Sequence, residues 1–185
     1  MSIATPTTIE DVKLIQPAVH GDHRGFLLET YSEDRWRELG VEGPFVQDNH
    51  SRSTTKGTLR GLHLQTDPGQ GKLVRCLRGA IFDVAVDLRR GSPTYGQWAG
   101  HVLDDETHHQ LWVPVGFAHG FQVLTDVADV AYKLTSLYDP KTEAEIAWDD
   151  PDIDIEWPLE NPVLSERDSS APRLAEVADE LPFSV

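Results

Sequence analysis

The chain has 185 residues, of which 39% are hydrophobic and 25% are charged, with 14 glycines and 12 prolines. This composition excludes collagen-like, coiled-coil and wholly disordered proteins and suits one globular domain. The single cysteine, Cys76, excludes an internal disulfide framework and a cysteine-based zinc site, and no apolar run approaches the roughly 18 residues of a membrane span.

The formal charge of −15 disfavours nucleic acid and anionic membranes as partners. Cations are nevertheless concentrated in residues 51–80, where six Lys or Arg residues accompany one acid. This segment forms either a local anion site or an exposed cationic face. Residues 1–10 lack the basic and apolar regions of a secretory signal, so we expect a cytoplasmic protein.

Short apolar runs separated by Gly, Pro, Asn and Asp, at intervals of about 8 to 12 residues, predict an all-β sandwich or barrel. Short connections favour antiparallel pairing. Ser32, two following acids and Gly40 predict a short helix, and a second helix is expected over about residues 172–179. We expect one domain over residues 1–185, with its core at about 10–172 and a C-terminal helix and tail at 173–185. The predicted strands are 12–17, 25–31, 58–65, 72–78, 81–88, 98–103, 109–113, 118–125, 129–137 and 145–148.

In the strand over residues 81–88, both acidic residues fall on one face and the opposite face is wholly apolar. Phe82 and Val84 lie on one face, and Asp83 and Asp87 lie on the other. The polar face would line a cavity in a closed barrel and would be solvated in an ordinary sandwich. Taken alone, the pattern favours the solvated position for Asp83.

In the strand over residues 58–65, strict alternation places His63 and Gln65 on one face and Arg60 on the other. Gly61 could form a bulge that turns Arg60 toward His63. Taken alone, His63 is more typical of a structural histidine than of a base. Lys72, on the next predicted strand, is by itself typical of an exposed strand cation.

A histidine lies in the Gly/Pro turn before the strand at 118–125. The Pro-x-Gly-x-x-His spacing that ends at His119 resembles the second metal motif of the cupins, a superfamily of small β-barrels. The first cupin motif requires His-x-His, whereas this chain has His63-x-Gln65. His108 and His109 point to opposite faces of a strand and cannot chelate from one side. We therefore predict a cupin-like antiparallel jelly-roll barrel, with short terminal helices and no metal.

Five longer motifs make the resemblance more specific. Together with DHRG (22–25), QDNHS (47–51) and LSERD (164–168), they resemble the dTDP-4-dehydrorhamnose 3,5-epimerase family over about residues 10–172. The five motifs are GTLRGLH (57–63), GKLVR (71–75), FDVAVD (82–87), SPTYGQW (92–98) and GFAHGF (116–121).

The resemblance implies conversion of dTDP-4-dehydro-6-deoxy-D-glucose to dTDP-4-dehydro-L-rhamnose by proton abstraction beside the keto group, at C3 and C5, with no cofactor. It implies that His63 is the base, that Asp168 orients it, that Lys72 stabilises the enolate and that Tyr132 is the proton donor. Ser165 and Asp168 also fit a helix capping box, which is the interpretation that the sequence favours without the resemblance.

The resemblance also implies a set of substrate contacts and a homodimer in which residues 25–29 cross to the partner's sheet. Tyr138 is expected to stack on the thymine. Asp83 and His119 would either form a second hydrogen-bonded pair or only fix the barrel wall. The implied contacts are Arg24, Glu29, Gln47, Asn49, Arg60, His119, Tyr138, Glu143 and Arg167.

The chain departs from the family pattern at Leu27, Leu28 and Leu64, where aromatic residues are common. These changes leave open how many carbons are inverted. The alternatives are a C3 or C5 epimerase or a ketoisomerase on the same barrel, and a non-catalytic cupin that binds a sugar nucleotide. A metal-dependent cupin oxygenase is disfavoured because the His-x-His motif is missing.

Overall fold

A computed structural model describes residues 1–185 and consists mainly of β-strands. The helices are α1 (Glu33–Glu38), α2 (Glu166–Ser169) and α3 (Leu174–Val177), and a 3-10 turn (Ala178–Glu180) follows α3. None of them is long and apolar enough to cross a membrane. The strands are β1 (Ile3–Pro6), β2 (Lys13–Gln16), β3 (Val19–Asp22), β4 (Gly25–Leu28), β5 (Gln47–Ser53), β6 (Leu59–Gln65), β7 (Lys72–Arg78), β8 (Ala80–Asp87), β9 (Trp98–Asp104), β10 (Gln110–Val113), β11 (Phe117–Val123), β12 (Ala128–Leu134) and β13 (Glu143–Glu145).

The strands form two layers and a separate hairpin. One sheet has the order β1-β2-β10-β7-β12-β5, and the other has the order β13-β6-β11-β8-β9. Strands β3 and β4 pair only with each other. All these strand pairs are antiparallel. The protein is a cupin-like antiparallel jelly roll with short helices, as predicted.

Nine of the ten predicted strands match observed strands within a few residues, and the tenth overlaps β13 only at Glu145. The pattern does not predict β1, β3 or β5. In β5 the sequence QDNHSRS contains no apolar residue, so neither hydrophobic alternation nor β-propensity marks it. The C-terminal helix is shorter than expected, because the 3-10 turn replaces its last residues.

The main core lies between the two sheets. It is a cluster of 15 buried residues that includes Val74 and Val130 from one sheet and Ile81, Phe117 and Phe121 from the other. On the outside of the six-stranded sheet, α1 buries Trp36 completely against a second apolar cluster. These contacts hold the strands that carry the predicted site residues in a fixed register.

The outer face of the five-stranded sheet is covered by the C-terminal part of the chain. Val84 and Val86 of β8 pack there with Ile146, Leu174 and Leu181. The expectation that Asp83 is solvated is therefore wrong. The C-terminal segment covers the apolar face of β8, and its polar face points between the sheets, where Asp83 is fully buried.

Candidate active site

Two adjoining cavities, of about 330 and 270 Å³, open at one end of the barrel and share His63, Lys72, Tyr132 and Glu143. They bring together all the sequence-predicted site residues except Arg24 and Glu29. The first cavity is also lined by Arg60, His119, Arg167 and Asp168, and the second by Gln47, Asn49 and Tyr138.

A bulge in β6 places Arg60 and His63 on the same wall. His63 pairs with His119 and Arg60 pairs with Phe121, so β6 has one residue more than β11 in this interval. The extra residue reverses the alternation, as predicted for Gly61. Only glycine fits at position 61, because its φ is +128° and an added Cβ would lie 2.5 Å from Gly120 Cα.

His63 and Asp168 form a short hydrogen-bonded pair, with 2.6 Å between Nε2 and Oδ1. Asp168 is 5% exposed, and burial alone would raise its pKa. Hydrogen bonds from His63 and Ser165 outweigh that effect and hold the pKa below its usual value. A carboxylate only accepts hydrogen bonds, so we assign the ring proton of His63 to Nε2. Its Nδ1 has no partner in the chain.

Lys72 is a buried cation at the start of β7. It is 7% exposed, and its Nζ donates to the His63 carbonyl oxygen at 3.2 Å. Burial lowers the pKa of Lys72 to about 8, against the opposing effect of the negative charges on Glu143 and Asp83. An ammonium group with one hydrogen bond can still donate to another oxygen in the cavity.

His119 and Asp83 form a second pair deeper in the barrel, with 2.8 Å between Nε2 and Oδ1. Burial lowers the pKa of His119, although the charge of Asp83 opposes this. The second carboxylate oxygen of Asp83 is buried without a hydrogen-bond partner. Of the two alternatives from the sequence, the structure contains the hydrogen-bonded pair.

Tyr132 lines both cavities from β12, opposite Asn49 of β5 and Val74 of β7. Its ring packs against the main core. Its hydroxyl makes no hydrogen bond within the chain, whereas that of Tyr138 donates to Glu143 at 2.7 Å. The Tyr132 hydroxyl is therefore free to bond a molecule in the cavity.

A polar network surrounds the mouth of the second cavity. Arg167 Nη1 lies 2.9 Å from a carboxylate oxygen of Glu143, and Gln47 donates to Asn49 at 2.9 Å. Burial would raise the pKa of Glu143, but hydrogen bonds from Arg167 and Tyr138 lower it below the usual value. Tyr138 itself is 49% exposed, so its ring can accept a stacked base.

Arg24 and Glu29 do not line the cavities of their own chain. They lie in and beside the β3–β4 hairpin, where Arg24 pairs with Asp22 and Glu29 pairs with Arg35. The side chain of Arg24 is 79% exposed. In the single chain, the structure therefore does not bring these two predicted site residues together with the others.

Ser51 is a site residue that the sequence pattern does not predict, although QDNHS (47–51) contains it. Its Oγ is buried without a partner on the wall of the larger cavity. On β5 it follows Gln47 and Asn49 at every second position, so all three face inward. The spacing of two residues indicates Ser51 only once residues 47–53 are known to form a strand.

The family model described as dTDP-4-dehydrorhamnose 3,5-epimerase matches residues 6–176. This chain belongs to that family. A dTDP-4-dehydrorhamnose 3,5-epimerase of Neisseria gonorrhoeae is 53% identical over 88% of this chain. That relative is longer, and the match covers only 49% of its length.

A solved structure matches along the whole length. It is the dTDP-6-deoxy-D-glucose-3,5-epimerase of Legionella pneumophila in complex with dTDP-4-keto-L-rhamnose. The TM-score is 0.96 at 48% sequence identity, and the match covers 100% of this chain and 99% of that one. A relative from Streptomyces niveus, 44% identical over 94% of this chain and 84% of its own length, is named a dTDP-4-dehydrorhamnose 3-epimerase. The family thus includes enzymes named for one carbon and for two.

Proposed function

We propose that the protein inverts C3 and C5 of dTDP-4-dehydro-6-deoxy-D-glucose to give dTDP-4-dehydro-L-rhamnose, without a cofactor. The observation that carries this proposal is the grouping of an imidazole–carboxylate pair, a buried ammonium group and a free phenol around one cavity. Family membership and the ligand of the Legionella relative support the sugar-nucleotide substrate.

In this proposal His63 is the base. Protons at C3 and C5 are acidic because both carbons neighbour the C4 keto group, and a neutral imidazole with a free nitrogen can remove them. Asp168 keeps the ring oriented and stabilises the imidazolium that forms. The 2.6 Å contact and the lowered pKa of Asp168 support this role.

Lys72 stabilises the negative charge that develops on the C4 oxygen when the enolate forms. A cation fixed in a site from which water is largely excluded is a strong stabiliser of such charge. The burial of Lys72 and its position beside the His63 carbonyl support this role.

Tyr132 returns a proton to the face of the sugar opposite His63, which is what inverts the carbon. The donor must have a hydroxyl that is not already bonded to the protein, and the hydroxyl of Tyr132 meets that condition. After each inversion His63 loses its proton to solvent and Tyr132 regains one from solvent, so both groups are restored and no electrons are exchanged.

The nucleotide part of the substrate is held by residues around the two cavities. Remote binding energy of this kind positions the sugar for two successive proton transfers. Arg60 suits a diphosphate because a guanidinium fork matches phosphate oxygens, and Tyr138 suits the thymine. The other proposed contacts are Gln47, Asn49, His119, Glu143 and Arg167.

Arg24 and Glu29 join this set only in a homodimer, in which the β3–β4 hairpin of one chain reaches the cavity of its partner. Three apolar side chains of the hairpin, Val19, Phe26 and Leu27, are exposed in the single chain. A partner that covers them would remove this apolar patch from water. The cytoplasmic location and the absence of nucleic-acid and membrane partners remain predictions from the sequence.

A second candidate, inversion of one carbon only, is favoured by the Streptomyces niveus relative and by Leu27, Leu28 and Leu64 at positions where aromatics are common.

The reaction run in deuterated water separates the candidates. We expect the product to carry deuterium at both C3 and C5, located by NMR and counted by mass spectrometry. Label at one carbon would indicate a single epimerase, and no label would indicate a non-catalytic binding protein.

A further inference from the structure

Ser165 lies beside the candidate base pair, immediately before α2. Its hydroxyl accepts a hydrogen bond from the Asp168 backbone N–H at 3.0 Å, which caps the helix. The same hydroxyl lies 2.7 Å from Asp168 Oδ2. That is the carboxylate oxygen that His63 does not use, because His63 Nε2 contacts Oδ1.

The direction of these hydrogen bonds is fixed by chemistry. A backbone N–H can only donate, so it uses a lone pair of the Ser165 oxygen and leaves the hydroxyl proton free. The carboxylate of Asp168 can then only accept that proton. Asp168 is bonded at both oxygens, and its carboxylate plane cannot rotate away from His63 without losing a charge-assisted bond.

The second histidine–aspartate pair of the barrel lacks this feature. His119 and Asp83 are joined by one bond of 2.8 Å, and Oδ2 of Asp83 has no partner. The two pairs are otherwise alike in residue type and in the atoms that meet. The Asp168 carboxylate therefore differs from that of Asp83 by two further contacts, which are the Ser165 hydroxyl on Oδ2 and the Gly61 backbone N–H, 3.4 Å from Oδ1.

We propose that Ser165 is a positioning residue, whose hydroxyl fixes the Asp168 carboxylate so that His63 keeps its ring proton on Nε2 and presents Nδ1 to the sugar. The catalytic consequence rests on the proposed function, but the position of the ring proton does not. Without the hydroxyl, Oδ2 loses its partner and Asp168 is held only at Oδ1, by His63 and the Gly61 N–H. The carboxylate can then turn about that oxygen, and His63 also populates the tautomer with the proton on Nδ1. In that tautomer the nitrogen that faces the substrate cannot act as a base.

Three variants separate this role from helix capping. Ser165→Gly removes the hydroxyl but costs a helix only a few tenths of a kcal/mol. Ser165→Thr retains a hydroxyl that can cap and donate. Ser170→Ala is the matched control, because the Ser170 hydroxyl bonds only to the Glu166 and Arg167 carbonyls of the same helix.

Two measurements are made on each variant: kcat and KM with the keto sugar nucleotide, and the nitrogen-15 chemical shifts of the His63 ring without substrate. For Ser165→Gly we expect kcat to fall about ten-fold, the size of one lost hydrogen bond to a charged group, with KM changed less than about two-fold. The nitrogen-15 shifts of the His63 ring should move from those of a predominantly Nε2-protonated imidazole toward those of a mixture of the two neutral tautomers. Ser165→Thr should restore both readouts, and Ser170→Ala should match the wild type.

The proposal is overturned if Ser165→Gly keeps the wild-type kcat and ring spectrum, since Ser165 would then only cap α2. It is also overturned if kcat falls while the ring spectrum stays unchanged. If the wild-type enzyme proves inactive on the keto sugar, the proposed function fails. The ring spectra of wild type and Ser165→Gly then still decide whether Ser165 sets the tautomer.

Discussion

Asp168 shows how one side chain can satisfy two sequence interpretations. The pattern from Ser165 to Asp168 predicts a helix cap, whereas the family resemblance predicts a partner for His63. The structure contains both, because Ser165 and His63 bond to different oxygens of the same carboxylate. Sequence alone could not decide this, since the contact with His63 joins residues 105 positions apart.

Replacement of His63 by alanine tests the proposed base. We expect His63→Ala to lower kcat on the order of 10³-fold, within the range of general base catalysis, and to leave the affinity for dTDP nearly unchanged. Steady-state kinetics and calorimetric titration with dTDP measure the two effects. His109→Ala, which removes a histidine outside both cavities, should keep full activity. Retained turnover in His63→Ala would remove this residue as the base.

The pKa of Lys72, about 8, predicts an alkaline limit of activity. The cation is needed for the enolate, so on the alkaline side kcat/KM should begin to fall near pH 8 and decrease about ten-fold per pH unit above it. The titratable groups that face Lys72 are Glu143, Asp83, His63 and His119.

Lys72→Arg is the control for this profile, because a guanidinium group stays charged and should remove the limit near pH 8 even if the rate is lower. A limit near pH 10 in the wild type, where lysine and tyrosine titrate in water, would contradict a lowered pKa for Lys72.

At the scale of elements, the bulge in β6 shifts the strand alternation by one residue. Arg60 and His63 therefore lie on the same face and both line the cavity. The sequence indicated the bulge through a glycine between Arg60 and His63. By contrast, the sequence does not predict β5, although this strand supplies Gln47, Asn49 and Ser51 to the two cavities. A strand whose inward side chains must bind a polar ligand lacks the apolar alternation on which strand prediction depends.

Gly61→Ala tests the bulge. The left-handed backbone and the close approach to Gly120 should together destabilise the fold by about 3 kcal/mol or more. The thermal midpoint should fall accordingly, and the remaining folded protein should bind dTDP more weakly because Arg60 is displaced. Gly96→Ala is the control, since Gly96 also has a positive φ but has open space around it. Equal effects of the two substitutions would contradict a packing requirement at Gly61.

At the scale of the whole molecule, the cations of residues 51–80 are divided between environments. Arg60 and Lys72 line the cavity, whereas Arg52 pairs with Asp129 on the outside of the six-stranded sheet. Charge counting alone could not separate these groups, because strand alternation sends neighbouring cations to opposite faces.

The homodimer is tested by complementation between two impaired chains. If Arg24 acts in the partner's cavity, a heterodimer of Arg24→Ala and His63→Ala chains contains one site with both wild-type residues. Random association should then restore about a quarter of the wild-type activity, since half the dimers are mixed and each has one intact site. Each variant alone serves as the control. No recovery on mixing would indicate that Arg24 does not act across the interface.

The most direct test of the account is proton exchange by Tyr132→Phe in deuterated water, because it separates abstraction on one face of the sugar from donation on the other. We expect deuterium to enter C3 and C5 of the recovered substrate while the inverted product forms at less than about 1% of the wild-type rate. A proportional loss of exchange and inversion would contradict the placement of His63 and Tyr132 on opposite faces of the bound sugar.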